Sequence, residues 1–229
     1  MTLVALSAFT LALLLAGCAA ATSPTTSSTA STSSSPTVYA AGYTTTNSSS
    51  GIDAAAYWLN GTSTALAKPY GTYAAGDFDY VTTLVVSGSN VYAGGYAYNG
   101  STFIPGYWLN GTWTALVNPN GSGYNAYVNS LVVSGTNVYA AGYANNGTVD
   151  VAGYWLNSTW TPLTNPYSSS KAAYVNALVV SGTNVYAAGH ATNNGNVDIA
   201  GYWLNGTWKP LANSYSSSYS ANVAALAVQ

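Results

Sequence analysis

Short apolar runs alternate with turn residues along most of this chain. In its last third the runs cover residues 174–181, 185–190, 197–204 and 207–211. The sequences Ser181-Gly182-Thr183-Asn184 and Asn205-Gly206 lie between runs and are typical of tight turns and two-residue hairpins. None of the runs has the 3.6-residue apolar spacing of a helix. The pattern therefore predicts four antiparallel strands in about 47 residues.

The same pattern recurs through the chain. The tetrapeptide Tyr-Trp-Leu-Asn begins at Tyr57, Tyr107, Tyr154 and Tyr202, at steps of 50, 47 and 48 residues. A repeat of this length sets the fold, because each unit must bury its apolar face against the next. Four antiparallel strands are the plan of one propeller blade. We predict an all-β chain with repeats over residues 38–79, 80–126, 127–173 and 174–220.

The order of residues within one unit resembles the kelch repeat. In that family a glycine doublet ends the second strand, a Tyr lies in the third strand and a Trp in the fourth. Gly94-Gly95, Tyr107 and Trp113 match this order, whereas the other units have Ala-Gly in place of the doublet. The resemblance covers roughly residues 38–229 and implies a β-propeller. It implies no particular activity, since many functions share one fold.

The two ends of the repeat region are complementary. The region enters at the second strand of a unit, residues 38–43, and leaves at residues 221–229, which align with a first strand. We therefore expect a four-bladed β-propeller of four-stranded antiparallel blades, its ring closed by pairing of the N- and C-terminal strands. Closure would remove exposed sheet edges. The alternative is that the chain is part of a larger ring.

The first 37 residues predict a membrane anchor. Residues 1–17 are apolar, and Leu15-Ala16-Gly17-Cys18 resembles a bacterial lipobox, although no Lys or Arg precedes it. We interpret residues 1–18 as a lipoprotein signal whose Cys18 is lipidated, which implies an extracytoplasmic protein on the membrane or cell surface. Residues 19–37 are almost entirely Ala, Ser, Thr and Pro, a composition typical of a disordered tether.

Composition excludes several classes of function. Only 3% of the residues are charged, with three Lys and five Asp and no Arg or Glu. Nucleic-acid binding is excluded because phosphate contacts need basic side chains. Cys18 is the one cysteine and His190 the one histidine, so we expect no metal cluster and no cofactor. His190 takes the position that Tyr holds in the other units, which indicates packing.

Two groups of carboxylates are candidates for chemistry. Asp53, Asp150 and Asp198 hold equivalent positions, and Phe103 replaces the Asp in the second unit. These carboxylates could bind a cation, but accepting hydrogen bonds from backbone donors in the loop before the third strand is the more common role. Asp77 and Asp79 form the one close carboxylate pair, which could do acid–base work or bind a ligand.

Variable loops give the main hypothesis for function. The second-to-third loops and the inter-blade loops should emerge on one face of a propeller, where binding residues usually lie. We predict a ligand site there that also includes Asp77 and Asp79, with these tyrosines: Tyr70, Tyr73, Tyr98, Tyr124, Tyr167, Tyr215 and Tyr219. Tyr with Ser, Gly and Asn is typical of recognition surfaces. The predicted function is binding of a glycan or a protein, without catalysis. The alternatives are a carbohydrate-active enzyme that uses Asp77 or Asp79, and a self-assembling surface protein.

The anchor can be tested directly. Replacing Cys18 with Ser removes the acceptor for the lipid, so the variant should move from the membrane fraction to the soluble fraction. Immunoblotting of fractionated cells measures this. A Cys18→Ser variant that still sediments with membranes would mean that something other than lipidation holds the protein.

Overall fold

The computed structural model describes residues 36–47, 52–71 and 78–229, and these residues form fifteen strands and no helix. All strands lie in the compact unit Thr37–Gln229. Blade one contains β1 (Tyr39–Asn47), β2 (Ile52–Leu59) and β3 (Thr62–Ala65). Blade two contains β4 (Asp79–Ser87), β5 (Asn90–Tyr98), β6 (Phe103–Leu109) and β7 (Thr112–Ala115).

The last two blades repeat the plan of the second. Blade three contains β8 (Ala126–Ser134), β9 (Asn137–Asn145), β10 (Asp150–Leu156) and β11 (Thr159–Pro162). Blade four contains β12 (Ala173–Ser181), β13 (Asn184–Thr192), β14 (Asp198–Leu204) and β15 (Thr207–Pro210). No helix in the described part of the chain could cross a membrane.

Each sheet is an antiparallel meander whose strands follow chain order. Successive sheets pack against each other, and side chains of one first strand reach the next. Thr82 Oγ1 in β4 donates to the Val128 carbonyl in β8 at 2.6 Å, and Asn129 Nδ2 in β8 donates to the Val175 carbonyl in β12 at 2.8 Å. The chain is thus a four-bladed β-propeller, as the repeats predict.

The predicted hairpin turns are confirmed. Asn at the first turn position has a φ between 48° and 50°, in the left-handed region that Asn tolerates better than most residues. Its side-chain oxygen also accepts a hydrogen bond from a backbone N–H at the start of the second strand, as Asn110 does from Val91 at 2.9 Å. Turn chemistry therefore explains the repeated Asn at these positions: Asn60, Asn110, Asn157 and Asn205.

A glycine in the second strand of each complete blade makes room for the first strand. The first strands bulge near their start, between Val128 and Ser130 in β8 for example. A Cβ on Gly142 would lie 1.9 Å from the Tyr127 carbonyl oxygen of that bulge. Gly95 and Gly189 meet the carbonyls of Tyr80 and Tyr174 in the same way, at 1.8 and 2.0 Å. No side chain fits at these three positions.

A tryptophan in the third strand joins each blade to the one before it. Trp108, Trp155 and Trp203 are fully buried. Their indole N–H groups donate to carbonyls just after the last strand of the preceding blade. The acceptors are the carbonyls of Ala67 at 2.9 Å, Val117 at 2.7 Å and Thr164 at 3.1 Å. We call the pocket that receives this ring the Trp socket. Around Trp203 it contains Ala152, Leu163, Ala173 and Val175.

The fourth strand adds a second tryptophan that lies over a glycine. Trp160 packs on Trp155 with a centroid distance of 4.4 Å, and a Cβ on Gly153 would lie 2.3 Å from the Trp160 ring. Blade one has Ala56 at the glycine position and Ser63 at the tryptophan position. The two differences are complementary, because the Ala56 methyl group occurs only in the blade whose fourth-strand tryptophan is replaced by Ser63.

The predicted closing strand is not formed. Residues 221–229 contain no strand, and in the described residues β1 pairs with β2 alone. Blade four holds the start of this segment instead. The Ala221 N–H donates to the Asp198 carbonyl at 2.8 Å, and Asn176 Nδ2 donates to the Val223 carbonyl at 2.9 Å. Residues 221–223 thus occupy a first-strand position but have no second strand beside them.

The glycine requirement gives a stability prediction. Gly142→Ala should lower the free energy of unfolding by about 1 to 3 kcal/mol or more, because the methyl group overlaps a backbone carbonyl that cannot rotate away. Thermal or urea unfolding measures the change. Gly123→Ala is the control, since nothing lies within 4 Å of its Cβ position. Equal stability of the two variants would contradict the close approach at Gly142.

Candidate functional site

In blades two to four, the described second-to-third loops and inter-blade loops lie on one face, as predicted. Thr102 Oγ1 donates to the Ser122 carbonyl at 2.9 Å, which joins the two kinds of loop in blade two. Asn120 Nδ2 reaches the Asn145 carbonyl at 3.0 Å, and Lys171 Nζ reaches Asn196 Oδ1 at 2.5 Å. These two bonds link the loops after blades two and three to the second-to-third loop of the following blade. We call this surface the loop face.

An asparagine shapes the loops that follow blades two, three and four. Asn165 Nδ2 donates to the carbonyls of Lys171, Ala172 and Thr192 at 2.9 to 3.1 Å, and its Oδ1 accepts from the Tyr167 N–H at 2.9 Å. Asn118 and Asn213 make corresponding bonds in their own loops. The loops are therefore held in one conformation by internal hydrogen bonds, and any ligand would meet a preformed surface.

The predicted tyrosines differ widely in exposure. Tyr215 is 93%, Tyr219 65% and Tyr124 41% exposed, so these three present ring surface to solvent. Tyr167 is half-buried against the core between blades three and four, and Tyr98 packs on Phe103 with a centroid distance of 5.3 Å. Tyr70 is half-buried too, and Tyr73 lies outside the described residues. Of the six tyrosines among the described residues, three present most of their ring surface to a ligand.

Asp79 of the acidic pair is not on the surface. Asp79 begins β4 and is fully buried, and its carboxylate accepts a hydrogen bond from the Tyr98 N–H at 3.0 Å. A fully enclosed carboxylate cannot reach a substrate or ligand on the loop face. Asp77 lies outside the described residues. The observed role of Asp79 is to hold the end of β5 against the start of β4.

The repeated aspartates link adjacent strands and adjacent blades. Asp150 Oδ1 accepts from Asn145 Nδ2, and its Oδ2 accepts from the Tyr174 hydroxyl of blade four, both at 2.9 Å. Asp53 accepts likewise from Thr45 at 2.8 Å and from Tyr80 at 3.3 Å. The described residues contain no group of three or more His, Cys, Asp or Glu that could hold a metal ion. The donors to Asp53 and Asp150 named here are side chains of neighbouring strands, and not the backbone groups expected in the loop before the third strand.

Two clefts of the loop face occupy equivalent positions. One has a volume of about 210 Å³ and lies under the inter-blade loop after blade three; the other, of about 150 Å³, lies under the loop after blade four. We call them the loop clefts. Their linings match at a shift of 48 residues: Asp150, Leu163, Asn165, Ser169 and Lys171 in the first, and Asp198, Leu211, Asn213, Ser217 and Tyr219 in the second.

Each loop cleft combines an apolar floor with polar side chains at its edge. Leu163 is buried at the floor of the first, whereas Ser169 is exposed at its edge. Lys171 supplies hydrogen-bond donors to the first cleft, and Tyr219 supplies an aromatic ring to the second. A ligand with hydroxyl groups and one apolar side matches this arrangement.

Seven aromatic rings form a continuous row across the four blades. The row runs through Tyr43, Tyr80, Tyr96, Tyr127, Tyr143, Tyr174 and His190, with neighbouring ring centroids 4.8 to 5.4 Å apart. Within a blade the neighbours are cross-strand partners, such as Tyr127 and Tyr143. Between blades, the second-strand ring of one blade meets the first-strand ring of the next. We call this row the aromatic ladder.

Burial in the aromatic ladder suppresses ionisation of its phenols. The pKa of Tyr80 is raised to about 12, mainly by burial and then by the nearby Asp53 and Tyr96. Burial likewise raises the pKa of Tyr127 to about 12, with contributions from Tyr96 and Asp150. Burial is also the main cause of the raised pKa values of Tyr96, Tyr143 and Tyr174. These five phenols therefore stay uncharged well above neutral pH.

The sequence predicted neither the aromatic ladder nor the loop clefts, for different reasons. The ladder was visible as Tyr in the first and second strands, but period-2 alternation does not reveal how rings of different blades meet. His190 was predicted to be a packing residue, because the equivalent positions hold Tyr43, Tyr96 and Tyr143. Its ring does pack, with its centroid 4.8 Å from that of Tyr174. The clefts depend on how a loop covers the strand ends, which no spacing encodes.

Comparison with known proteins finds similarity among solved structures. No family profile matches the chain, and no curated protein matches it. The solved structure of a fucose lectin from Kordia zhangzhouensis in complex with methyl-fucoside is similar at a TM-score of 0.41 and 15% sequence identity. The match covers 57% of this chain and 97% of that chain. The kelch resemblance stays a prediction.

The raised phenol pKa values predict a loss of stability in alkali. A free phenol has a pKa of about 10, so an unfolded chain releases these protons before the folded chain does. The stabilisation is complete below about pH 10 and should be lost as the pH rises through about 12. Melting temperatures across this range, with phenolate absorbance followed in parallel, measure the effect. Tyr127→Phe should flatten the pH dependence, and Tyr215→Phe, outside the ladder, is the control.

Proposed function

We propose that this protein is an extracytoplasmic carbohydrate-binding module whose ligand occupies the loop clefts. One observation carries the proposal: two clefts with matching linings recur 48 residues apart on the loop face. A feature that recurs with the repeat suits a ligand that also repeats, and glycans present many copies of one unit. Several weak sites on one rigid scaffold bind such a ligand far more tightly than one site does.

The chemistry of the clefts favours a neutral glycan over a protein. Sugars offer hydroxyl groups for Asp, Asn and Ser, and an apolar ring side that can lie on Leu163 or against a Tyr ring. The surface has very few charges, so neither a strongly acidic nor a strongly basic partner is attracted over a distance. Fixed loops also reduce the entropy lost on binding.

Binding without catalysis fits the placement of the acidic residues. An enzyme that hydrolyses glycosides needs two accessible carboxyl groups on either side of the bond. Asp79 is fully buried, and the oxygens of Asp150 already accept hydrogen bonds from Asn145 and Tyr174. We further propose that lipidated Cys18 holds the module at the membrane or cell surface. The lipobox sequence supports this part of the proposal.

A loop cleft that is filled by a bulky side chain should not bind glycan. We expect the protein to bind neutral glycans on an array, and titration calorimetry to confirm the best of them. Ser169 and Ser217 are exposed on the walls of the two loop clefts, so Ser169→Trp with Ser217→Trp should fill both and lower the affinity at least about tenfold, or about 1.4 kcal/mol. The single variants should each lose part of the apparent affinity.

The control places the same bulk on the opposite face. Thr183 is exposed in the turn between β12 and β13, at the other end of the strands. Thr183→Trp should bind like the unmodified protein and fold equally well by circular dichroism. Retention of full binding by the double Ser variant would remove the loop clefts from the proposal. Absence of binding to any glycan would remove the carbohydrate class.

A further inference from the structure

The end of blade four is a Trp socket without its tryptophan. The residues that surround Trp203 in the junction of blades three and four include Ala152, Leu163, Ala173 and Val175. Their equivalents 48 residues later are Ala200, Leu211, Ala221 and Val223, and these line an open groove of about 680 Å³. Leu211 is 46% exposed, whereas Leu163 is 1% exposed. The groove has the lining of a blade junction and lacks the next blade.

Blade one presents the complementary side. Trp58 holds the position of Trp108, Trp155 and Trp203, all of which are fully buried in sockets, yet Trp58 is half-buried. Tyr43 starts the aromatic ladder and is 51% exposed, although its equivalents lie between two rings. Blade one thus carries the ring that a socket receives, without a socket around it.

Gly42 shows that β1 is shaped for one more strand. Its equivalents Gly95, Gly142 and Gly189 are required because a first-strand carbonyl occupies the Cβ position. At Gly42 the nearest atom to a Cβ would be a Trp58 ring carbon at 3.6 Å, and no backbone atom comes within 4 Å. This glycine therefore keeps a space that none of the described residues fills. The space matches the carbonyl of residue 222, which aligns with that of Tyr174.

The C-terminal segment is already held as a first strand. The Asn176 bond to the Val223 carbonyl repeats the bond from Asn129 to the Val175 carbonyl in the preceding junction. His190 Nδ1 lies 3.1 Å from Asn222 Oδ1, at the place where Tyr143 meets Tyr174 one junction earlier. Among the described residues, the C-terminal segment has no second blade strand paired beside it. Conversely, β1 occupies the position of a second blade strand and has no first strand paired beside it.

We propose that the end of blade four binds blade one of a second copy of this chain. In that junction Trp58 of one copy enters the groove at Leu211 of the other, and residues 223–228 pair with β1. The two faces are unjoined within a single chain, although both belong to one compact unit. A head-to-tail contact of this kind is heterologous, so it satisfies both faces of every copy when it closes into a ring.

Solution mass tests the proposal on the full chain carrying Cys18→Ser, which cannot be lipidated. Light scattering should give at least twice the monomer mass of 23.4 kDa. Trp58→Ala and Leu211→Lys should each return the protein to monomer mass, the first by emptying the socket and the second by placing a charge in it. A monomer at concentrations up to about 0.1 mM, far above the Kd of specific interfaces, would overturn the proposal.

Two further variants separate docking from misfolding. Val117 is 58% exposed and lies outside both faces, so Val117→Lys should keep the assembled mass. Gly42→Ala has room in the isolated blade but blocks the incoming carbonyl, so it should be folded by circular dichroism and monomeric. Gly123→Ala, which also has open space, should remain assembled. Assembly of Gly42→Ala would show that no strand approaches β1 in this register.

Cross-linking decides between a second copy and the same chain. Ala177 and Ala188 are directly opposite in β12 and β13, and their equivalents are Ala225 and Ala41. Co-expressed chains carrying Ala41→Cys or Ala225→Cys alone, each with Cys18→Ser, should form a disulfide-linked pair on mild oxidation. A matched pair with Thr183→Cys in place of Ala225→Cys should not. A third chain carries both Ala41→Cys and Ala225→Cys. If a disulfide forms only within that chain and not between the single variants, the ring closes on itself and assembly between copies is overturned.

Discussion

Blades two, three and four each depend on the preceding blade to bury one tryptophan. The third-strand ring cannot be covered by its own four short strands, and it enters a pocket made by the end of the preceding fourth strand and the start of its own first strand. The indole N–H donates to the preceding blade, so the contact sets both distance and register between blades. Burial of such a large ring is among the strongest local contributions to stability. The blades therefore fold as an array and not as independent units.

The sequence predicted the strands well because turns and apolar runs are local features. The boundaries expected from the pattern at residues 174–211 agree with β12 to β15 within a few residues, and the Asn turns adopt the expected left-handed backbone. His190 was correctly predicted to pack, because its equivalents are Tyr. The repeat also predicted which loops share a face. Each of these inferences needed only one blade.

What the sequence could not supply concerns relations between blades. Asp79 looked like a loop carboxylate, because its burial comes from β5 and is invisible in the spacing of the chain. Three of the six described tyrosines of the predicted site are largely open to solvent, whereas Tyr98 and Tyr167 pack on neighbouring elements. The expected pairing of the terminal strands was correct about complementarity, as residues 221–223 do hold a first-strand position. It assumed that the two ends of one chain meet, and no local pattern tests that.

The exchange of Gly-Trp for Ala56 and Ser63 in blade one also bears on how such a chain avoids errors during folding. Near-identical repeats can trade strands with one another, and multi-repeat proteins misassemble in this way. A fourth strand that carries Trp cannot lie on blade one, because the Ala56 methyl group fills the space that the ring needs. In the other blades a Cβ at the glycine would come within about 2.5 Å of that ring. One methyl group thus labels the first blade, so that the array has a defined beginning as it folds.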